Sequence, residues 1–274
     1  MPRFRCNYLL VQPQTVCFVY NNRNLYSRKS SLTKFYGDYQ SPVQIKLCVF
    51  LRKVIKGVAK AIIAGASGLI GGFLVEVLLQ SHEYQDVVVL VRKELPLRHP
   101  KLKQVLVDFG ALSQFEDEIT GHALFSCLGS TRKKTPDLPV YRKIDHDYPL
   151  QLAQLAFKNG IPQYHFVSSM GANAASKNFY TKMKGETEND LKDVGLNCLH
   201  IYRPALLTGN RHEKRAGERF LFGLFKLIDP LLIGGLRKYR SIPAATVASA
   251  MYKQSLINQE GIFIHPSDEI KEIA

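Results

Sequence analysis

A chain of 274 residues that is 46% hydrophobic and 22% charged can bury one sizeable core and fits a single α/β domain. Its formal charge of +14 invites a nucleic-acid role, but residues 1–57 hold ten Lys or Arg against one acid, Asp38, and the remainder carries only +5. No run reaches the roughly 20 apolar residues of a bilayer span. Five widely spaced cysteines without a CxxC pair argue against a disulfide framework or a zinc site and fit a reducing compartment.

Residues 1–57 mix Tyr, Arg, Asn and Ser without a sustained period of 2 or 3.6, so no domain is expected there. The segment reads as a basic extension outside the working protein, with the functional chain opening at Val58. Alternatively it is an organellar presequence, acid-poor and carrying Ser27, Ser30 and Ser31. The first reading places the protein in the cytoplasm, the second in the mitochondrion. A nucleic-acid arm is not favoured, because no groove pattern of aromatic and basic residues accompanies the charge.

From Ala59 onward short β-branched runs alternate with longer amphipathic ones, the pattern of a parallel sheet covered on both faces. Six strands are expected: Ala61–Ala64, Val87–Val91, Gln104–Val107, Ala123–Cys127, Tyr164–Val167 and Cys198–Tyr202. Helices are expected at Gly71–Gln80, Asp147–Lys158 and Tyr180–Val194, with Gly160 and Gly195 as C-terminal caps and Asp145 and Asp147 at the start of the second. After Arg203-Pro204 the rhythm breaks into a basic loop, Gly209–Arg219, helices at Phe220–Ile228 and Thr246–Asn258, and an apolar run, Ile262–Ile264, expected to close over the strand ends as a small lid. The stretch Phe220–Leu236 offers a membrane-surface contact edged by Arg237, Lys238 and Arg240, although a buried helix followed by a loop is the favoured reading.

The segment Ala61-Ile-Ile-Ala-Gly-Ala-Ser-Gly-Leu-Ile-Gly71 runs a strand into Gly65-x-x-Gly68-x-x-Gly71 and an apolar helix. That context fits a dinucleotide loop: a tight turn at Gly65, close approach of pyrophosphate at Gly68, and helix-to-strand contact at Gly71. Ser67, Leu69 and Ile70 lie within it. Where an acid would meet the ribose hydroxyls of NAD, the second strand ends at Val91 and is followed by Arg92 and Lys93, which points to the 2′-phosphate of NADP; NAD with Glu94 at the ribose is the alternative. Asp108 is placed for the adenine edge, and Leu128-Gly129-Ser130 for the nicotinamide half.

The fifth strand runs into Ser168-Ser169, and Tyr180 and Lys184 follow four residues apart on one helix face. An ammonium there lowers the phenol's pKa and holds the ribose, the phenol transfers a proton, and the Ser169 hydroxyl polarises a carbonyl. Tyr180 is the only one of thirteen tyrosines with lysine at that spacing.

Through Gly65–Gly71, Cys127-Leu-Gly-Ser-Thr-Arg132, Val167-Ser-Ser-Met-Gly-Ala172, Tyr180-x-x-x-Lys184-Gly-Glu, Tyr202-Arg-Pro204 and Arg211-x-Glu-x-Arg-x-Gly-Glu218, most of residues 60–260 resembles the short-chain dehydrogenase/reductases. The likeness is to their atypical branch of Tat-interactive-protein oxidoreductases and bacterial NAD(P)H-binding, NmrA- and epimerase-like proteins. The resemblance implies a doubly wound Rossmann sheet with helices on both faces. It also implies NADP, catalytic positions at Ser169, Tyr180 and Lys184, and Arg203 and Pro204 near cofactor and substrate. His122, His146, His165 and His200 lack metal spacing and read as core or surface residues, and Cys127 as a small buried hydrophobe.

These readings converge on an NADP-dependent oxidoreductase acting on a small or elongated apolar carbonyl or alcohol, as a monomer or homodimer. The alternative is a module whose NADP(H) occupancy tunes contact with a protein partner without turnover.

Overall fold

The computed structural model describes residues 59–209 and 239–274. The expected basic extension, most of the Gly209–Arg219 loop with its Arg211–Glu218 motif, the Phe220–Ile228 helix and the proposed membrane-surface stretch lie outside the described residues.

Seven parallel strands form one sheet in the order β3-β2-β1-β4-β5-β6-β9. They are β1 (Ala59–Ala64), β2 (Tyr84–Val91), β3 (Leu102–Leu106), β4 (Ala123–Ser126), β5 (Gln163–Val167), β6 (Cys198–Arg203) and β9 (Gly261–Pro266). Two two-residue strands, β7 (Leu207–Thr208) and β8 (Ile242–Pro243), pair separately. The inner stretches Ala61–Ala64 of β1 and Val87–Val91 of β2 are apolar at every position because both faces are covered. On one face Ala61, Ile63, Val87 and Val89 pack with α1 (Leu69–Gln80) and α5 (Ala244–Ser255). On the other, Ile62, Ala64, Val88 and Leu90 share a core with Leu152, Ala153 and Ala156 of α3 (Tyr148–Lys158) and Leu191 of α4 (Phe179–Asp193). At about 1.5–3 kcal/mol for each buried aliphatic side chain, these two layers dominate the stabilisation of the unit. The expected doubly wound Rossmann architecture is therefore present.

The chain winds outward through β1, β2 and β3, then returns to β4 beside β1 and winds the other way. Ligands of such sheets bind outside the carboxyl ends of the strands at this switch point. Here Ala64 pairs with Ser126, and the Cys127 amide donates to the Ala64 carbonyl at 2.8 Å, so the loops after β1 and β4 leave the sheet side by side.

All six expected strands are present, and Gly160 and Gly195 take φ of +67° and +84°, as helix-terminating glycines do. Three local expectations need correction. The described part of the expected lid lies in the sandwich itself: Ile262–Ile264 belongs to β9, paired in parallel with β6, and the helix before it, expected at Thr246–Asn258, begins at Ala244 and ends at Ser255. The helix expected to open at Asp147 starts earlier, as α2 (Leu138–Arg142), capped by the Asp137 carboxylate at 2.9 Å from the Val140 amide. It runs through a π-helical turn, Lys143–Asp147, into α3, and Asp147 caps nothing. Asp108 caps as well: its Oδ1 accepts from the Gly110 amide at 2.8 Å and opens a 3₁₀ run, Phe109–Glu118, that periodicity does not reveal. A final helix, α6 (Ser267–Ile273), was likewise not expected.

Candidate functional site

A cleft of about 650 Å³ opens at the switch point. Its floor is the Gly65 loop and the first turn of α1; its walls are Leu128–Thr131 after β4 and Tyr180 and Lys184 of α4. Gly65 has φ +88°, and a Cβ there would stand 2.6 Å from the Cys127 carbonyl. A Cβ on Gly71 would lie 2.2 Å from the Gly65 oxygen, so the helix-to-strand contact assigned to that glycine is real. Gly68 stands at the N-cap of α1, where no side chain caps the helix. Ser67, Gly68, Leu69 and Ile70 line the cleft, so the first-turn amides and the positive end of the helix dipole face it. A phosphate fits this cradle.

Leu128, Gly129 and Ser130 also line the cleft. Cys127 lines it too, but burial pushes its thiol up to about 12, which leaves it protonated and unreactive. Arg92, Lys93 and Asp108 are exposed at the ends of β2 and β3 and do not line the described cleft. Arg203 is engaged elsewhere, in a bidentate ion pair whose Nε donates to Glu188 Oε1 at 2.9 Å and whose second nitrogen meets Oε2. Glu188 also accepts from the Ser168 hydroxyl at 2.5 Å. This buried carboxylate thus ties the end of β5 to the end of β6, and Pro204 adds a backbone tie, its carbonyl accepting from Met170 N at 3.0 Å.

The two serines separate. Ser168 lines the cleft with its hydroxyl held by Glu188, whereas Ser169 Oγ is buried and finds no hydrogen-bond partner among the described residues. Tyr180 is 36% exposed at the cleft, and Asn178 fixes its turn as the N-cap of α4 by accepting from the Tyr180 amide at 2.9 Å.

Lys184 is almost wholly buried, over the Phe166 ring at 5.0 Å. Its ammonium donates to the Val167 carbonyl at 3.3 Å and lies 3.0 Å from Asp145 Oδ1. Burial alone would drive this ammonium down; Asp145, aided by Tyr180 and Glu188, outweighs it and holds the lysine above its ordinary value.

Asp145, read from sequence as a helix start, is the principal residue that the sequence reading missed. It is 1% exposed, and its Oδ2 accepts from the Ser130 amide at 2.7 Å. One buried carboxylate thereby joins the loop after β4 to the lysine of α4. The signal was available: Tyr141, Asp145, Pro149, Leu152 and Ala156 recur every three or four residues, which sets Asp145 on a buried stripe where a charge needs a partner.

The family model for NAD(P)H-binding proteins matches residues 65–254. Among curated proteins, the HTATIP2 protein of Rattus norvegicus is 31% identical over 193 residues, covering 69% of this chain and 78% of its own. The mitochondrial FMP52 protein of Saccharomyces cerevisiae is 35% identical over 162 residues, 57% of this chain and 69% of its own. Among solved structures, the Bordetella bronchiseptica enzyme WbmH in complex with NAD+ has a TM-score of 0.58 at 18% identity, covering 79% of each chain. The UDP-N-acetylglucosamine 4-epimerase of Methanobrevibacter ruminantium M1 has a TM-score of 0.56 at 17% identity over 76% of each. These structures share the fold. With the glycine cradle, the uncapped helix and the extent of the match in view, the chain belongs to the NAD(P)H-binding family.

Proposed function

We propose that the protein is an NADP(H)-dependent oxidoreductase that interconverts a carbonyl and an alcohol. The observation that carries this reading is the convergence on one cleft of the phosphate cradle, a tyrosine at its mouth, and a buried, charged lysine one helical turn away. The first-turn amides of α1 hold the pyrophosphate, Leu128–Ser130 lie along the nicotinamide half, and Arg92 with Lys93 meet the 2′-phosphate from the end of β2. When bound, the nicotinamide supplies or takes up a hydride.

The residues of this chain handle the proton. Tyr180 Oη exchanges it with the substrate oxygen, Lys184 with its paired carboxylate lies one helical turn behind the phenol, and Ser169, whose hydroxyl finds no partner among the described residues, donates a hydrogen bond to that oxygen after a side-chain rotation into the cleft. Glu188, Arg203 and Pro204 keep the β5 and β6 ends in place beside it.

The test is NADPH consumption against a panel of aldehydes and ketones by the full chain and by Tyr180→Phe. Turnover that the variant loses while still binding NADPH supports the reading. Equal rates from both proteins contradict it, and unaltered binding without turnover on any carbonyl supports the partner-tuning module.

Among the described residues no helix is long and apolar enough to cross a membrane. The FMP52 relatives are named as mitochondrial, which favours residues 1–57 as a presequence ahead of a working unit beginning near Val58. A fluorescent protein fused behind residues 1–57 would reach mitochondria on this reading and remain cytosolic on the other.

A further inference from the structure

In the reading above, a lone ammonium beside Tyr180 would favour the phenolate and so favour proton removal from an alcohol. The ammonium here is not alone. Asp145 Oδ1 stands 3.0 Å from Lys184 Nζ, both side chains are 3% exposed or less, and no solvent lies between them to weaken the pairing. The carboxylate is fixed on its other oxygen, where the Ser130 amide donates to Oδ2 at 2.7 Å, and the π-helical turn Lys143–Asp147 sets the backbone it hangs from. Two further pairs clamp the same helices, Arg142 to Glu186 at 2.6 Å and His146 to Asp190 at 2.8 Å. Asp145 cannot swing away from Lys184 without breaking this register.

We propose that Asp145 is a positioning residue that cancels most of the Lys184 charge at Tyr180, so that the tyrosine keeps its proton and the site is built to reduce carbonyls rather than oxidise alcohols. The inference rests on the oxidoreductase reading. In the forward direction a hydride adds to the carbonyl carbon, the C=O π pair moves to oxygen, and the Tyr180 O–H bond breaks to deliver the proton. The phenolate left behind regains a proton from water at the mouth, because the buried ion pair keeps the Lys184 proton where it is. The same carboxylate holds the Ser130 amide, so the loop against the nicotinamide and the lysine behind the tyrosine share one anchor.

Among the described residues, the ionisable groups around the phenol and lysine include Asp145, Tyr141 of α2 and Glu188 of α4, with Glu76, Cys127 and Lys134 on the cleft lining. A cycle of charge removals isolates Asp145 from the rest. Ionisation of Tyr180 is read by its phenolate absorbance, each protein being compared with its own Tyr180→Phe partner to subtract the other twelve tyrosines. Asp145→Asn leaves a bare ammonium and is expected to move the ionisation down by about one pH unit or more; Lys184→Met leaves a bare carboxylate and moves it up by a similar amount. The double variant Asp145→Asn, Lys184→Met, electrically neutral as the native pair is, returns it close to the wild-type position.

If Asp145→Asn fails to fold, the comparison of Lys184→Met with the double variant decides: the inference requires the added Asn to pull the ionisation back down. Identical ionisation in those two proteins, or no movement in Asp145→Asn, overturns it. Because the readout needs no turnover, a protein that reduces nothing in the carbonyl panel would still pass or fail this test on its own terms.

Discussion

The two faces of β5 and β6 handle buried ionisable groups in opposite ways. On the α4 face, Arg203 pairs with Glu188, and Lys184 pairs with Asp145 over the ring of Phe166. On the α5 face, at strand positions of the opposite parity, His165 and His200 stack at 4.6 Å, and His200 stacks on His265 of β9 at 5.2 Å. Alternation of side chains along a strand separates the two populations completely. In the first group each buried charge has an oppositely charged partner within hydrogen-bond distance. In the second, burial and then the neighbouring imidazoles lower His165 well below its ordinary range and His200 to about 3, while His265 meets Glu269 Oε1 at 2.7 Å through Nδ1. The ion-paired face borders the cleft, and the histidine face is core. Burial of an ionisable residue is therefore not itself a functional sign; retention of its charge beside an open cleft is.

The largest effect expected from this contrast falls on chemistry. Tyr180→Phe should lower turnover by about 10²–10⁴-fold with NADPH affinity little changed, as loss of a general acid does; steady-state kinetics beside a binding titration checks both halves. On the stability side, Glu188→Gln strands the Arg203 guanidinium and weakens the Ser168 tie. Since Arg203 is about a third exposed, the loss expected in urea unfolding is about 2–4 kcal/mol, less than for a fully buried pair.

The histidine face predicts a pH dependence. His200 binds its proton more weakly folded, at about 3, than unfolded, near 6.5. Its contribution is thus complete above about pH 6.5 and is lost as pH falls from there towards 3, because the unfolded state takes up more protons. The loss should reach a few kcal/mol at the acid end, on the order of what such a shift implies. His200→Phe should flatten that limb of the stability profile, read by urea unfolding at a series of pH values.

The contrast also shows what was legible in sequence. The glycine loop, the six strands and the Tyr180–Lys184 spacing follow from local pattern, since β-branched runs and a one-turn spacing are properties of neighbouring residues. Asp145 and Glu188 were not legible as site residues, because their meaning comes from partners 39 and 15 positions away in the chain. The π-helical turn that aims Asp145 has no composition signal. The histidine stack arises from the register of three strands, with His165 opposite His200 and Tyr202 opposite His265, and strand order is a tertiary fact. Arg203 illustrates the converse: the motif Arg203-Pro204 was visible, yet its guanidinium is bound to Glu188 rather than lining the cleft.

The proposed function requires NADP(H) in the cleft at the switch point of the sheet, with Arg92, outside that cleft, meeting the 2′-phosphate from the end of β2. Titrating the full chain with NADPH and NADH, following nicotinamide fluorescence, beside Arg92→Glu would measure this. The account predicts tighter binding of NADPH, by about 10–100-fold for a charge-assisted hydrogen bond to the 2′-phosphate, and a preference that reverses in the variant. Binding of neither cofactor, or equal binding of both that Arg92→Glu leaves unchanged, would contradict it.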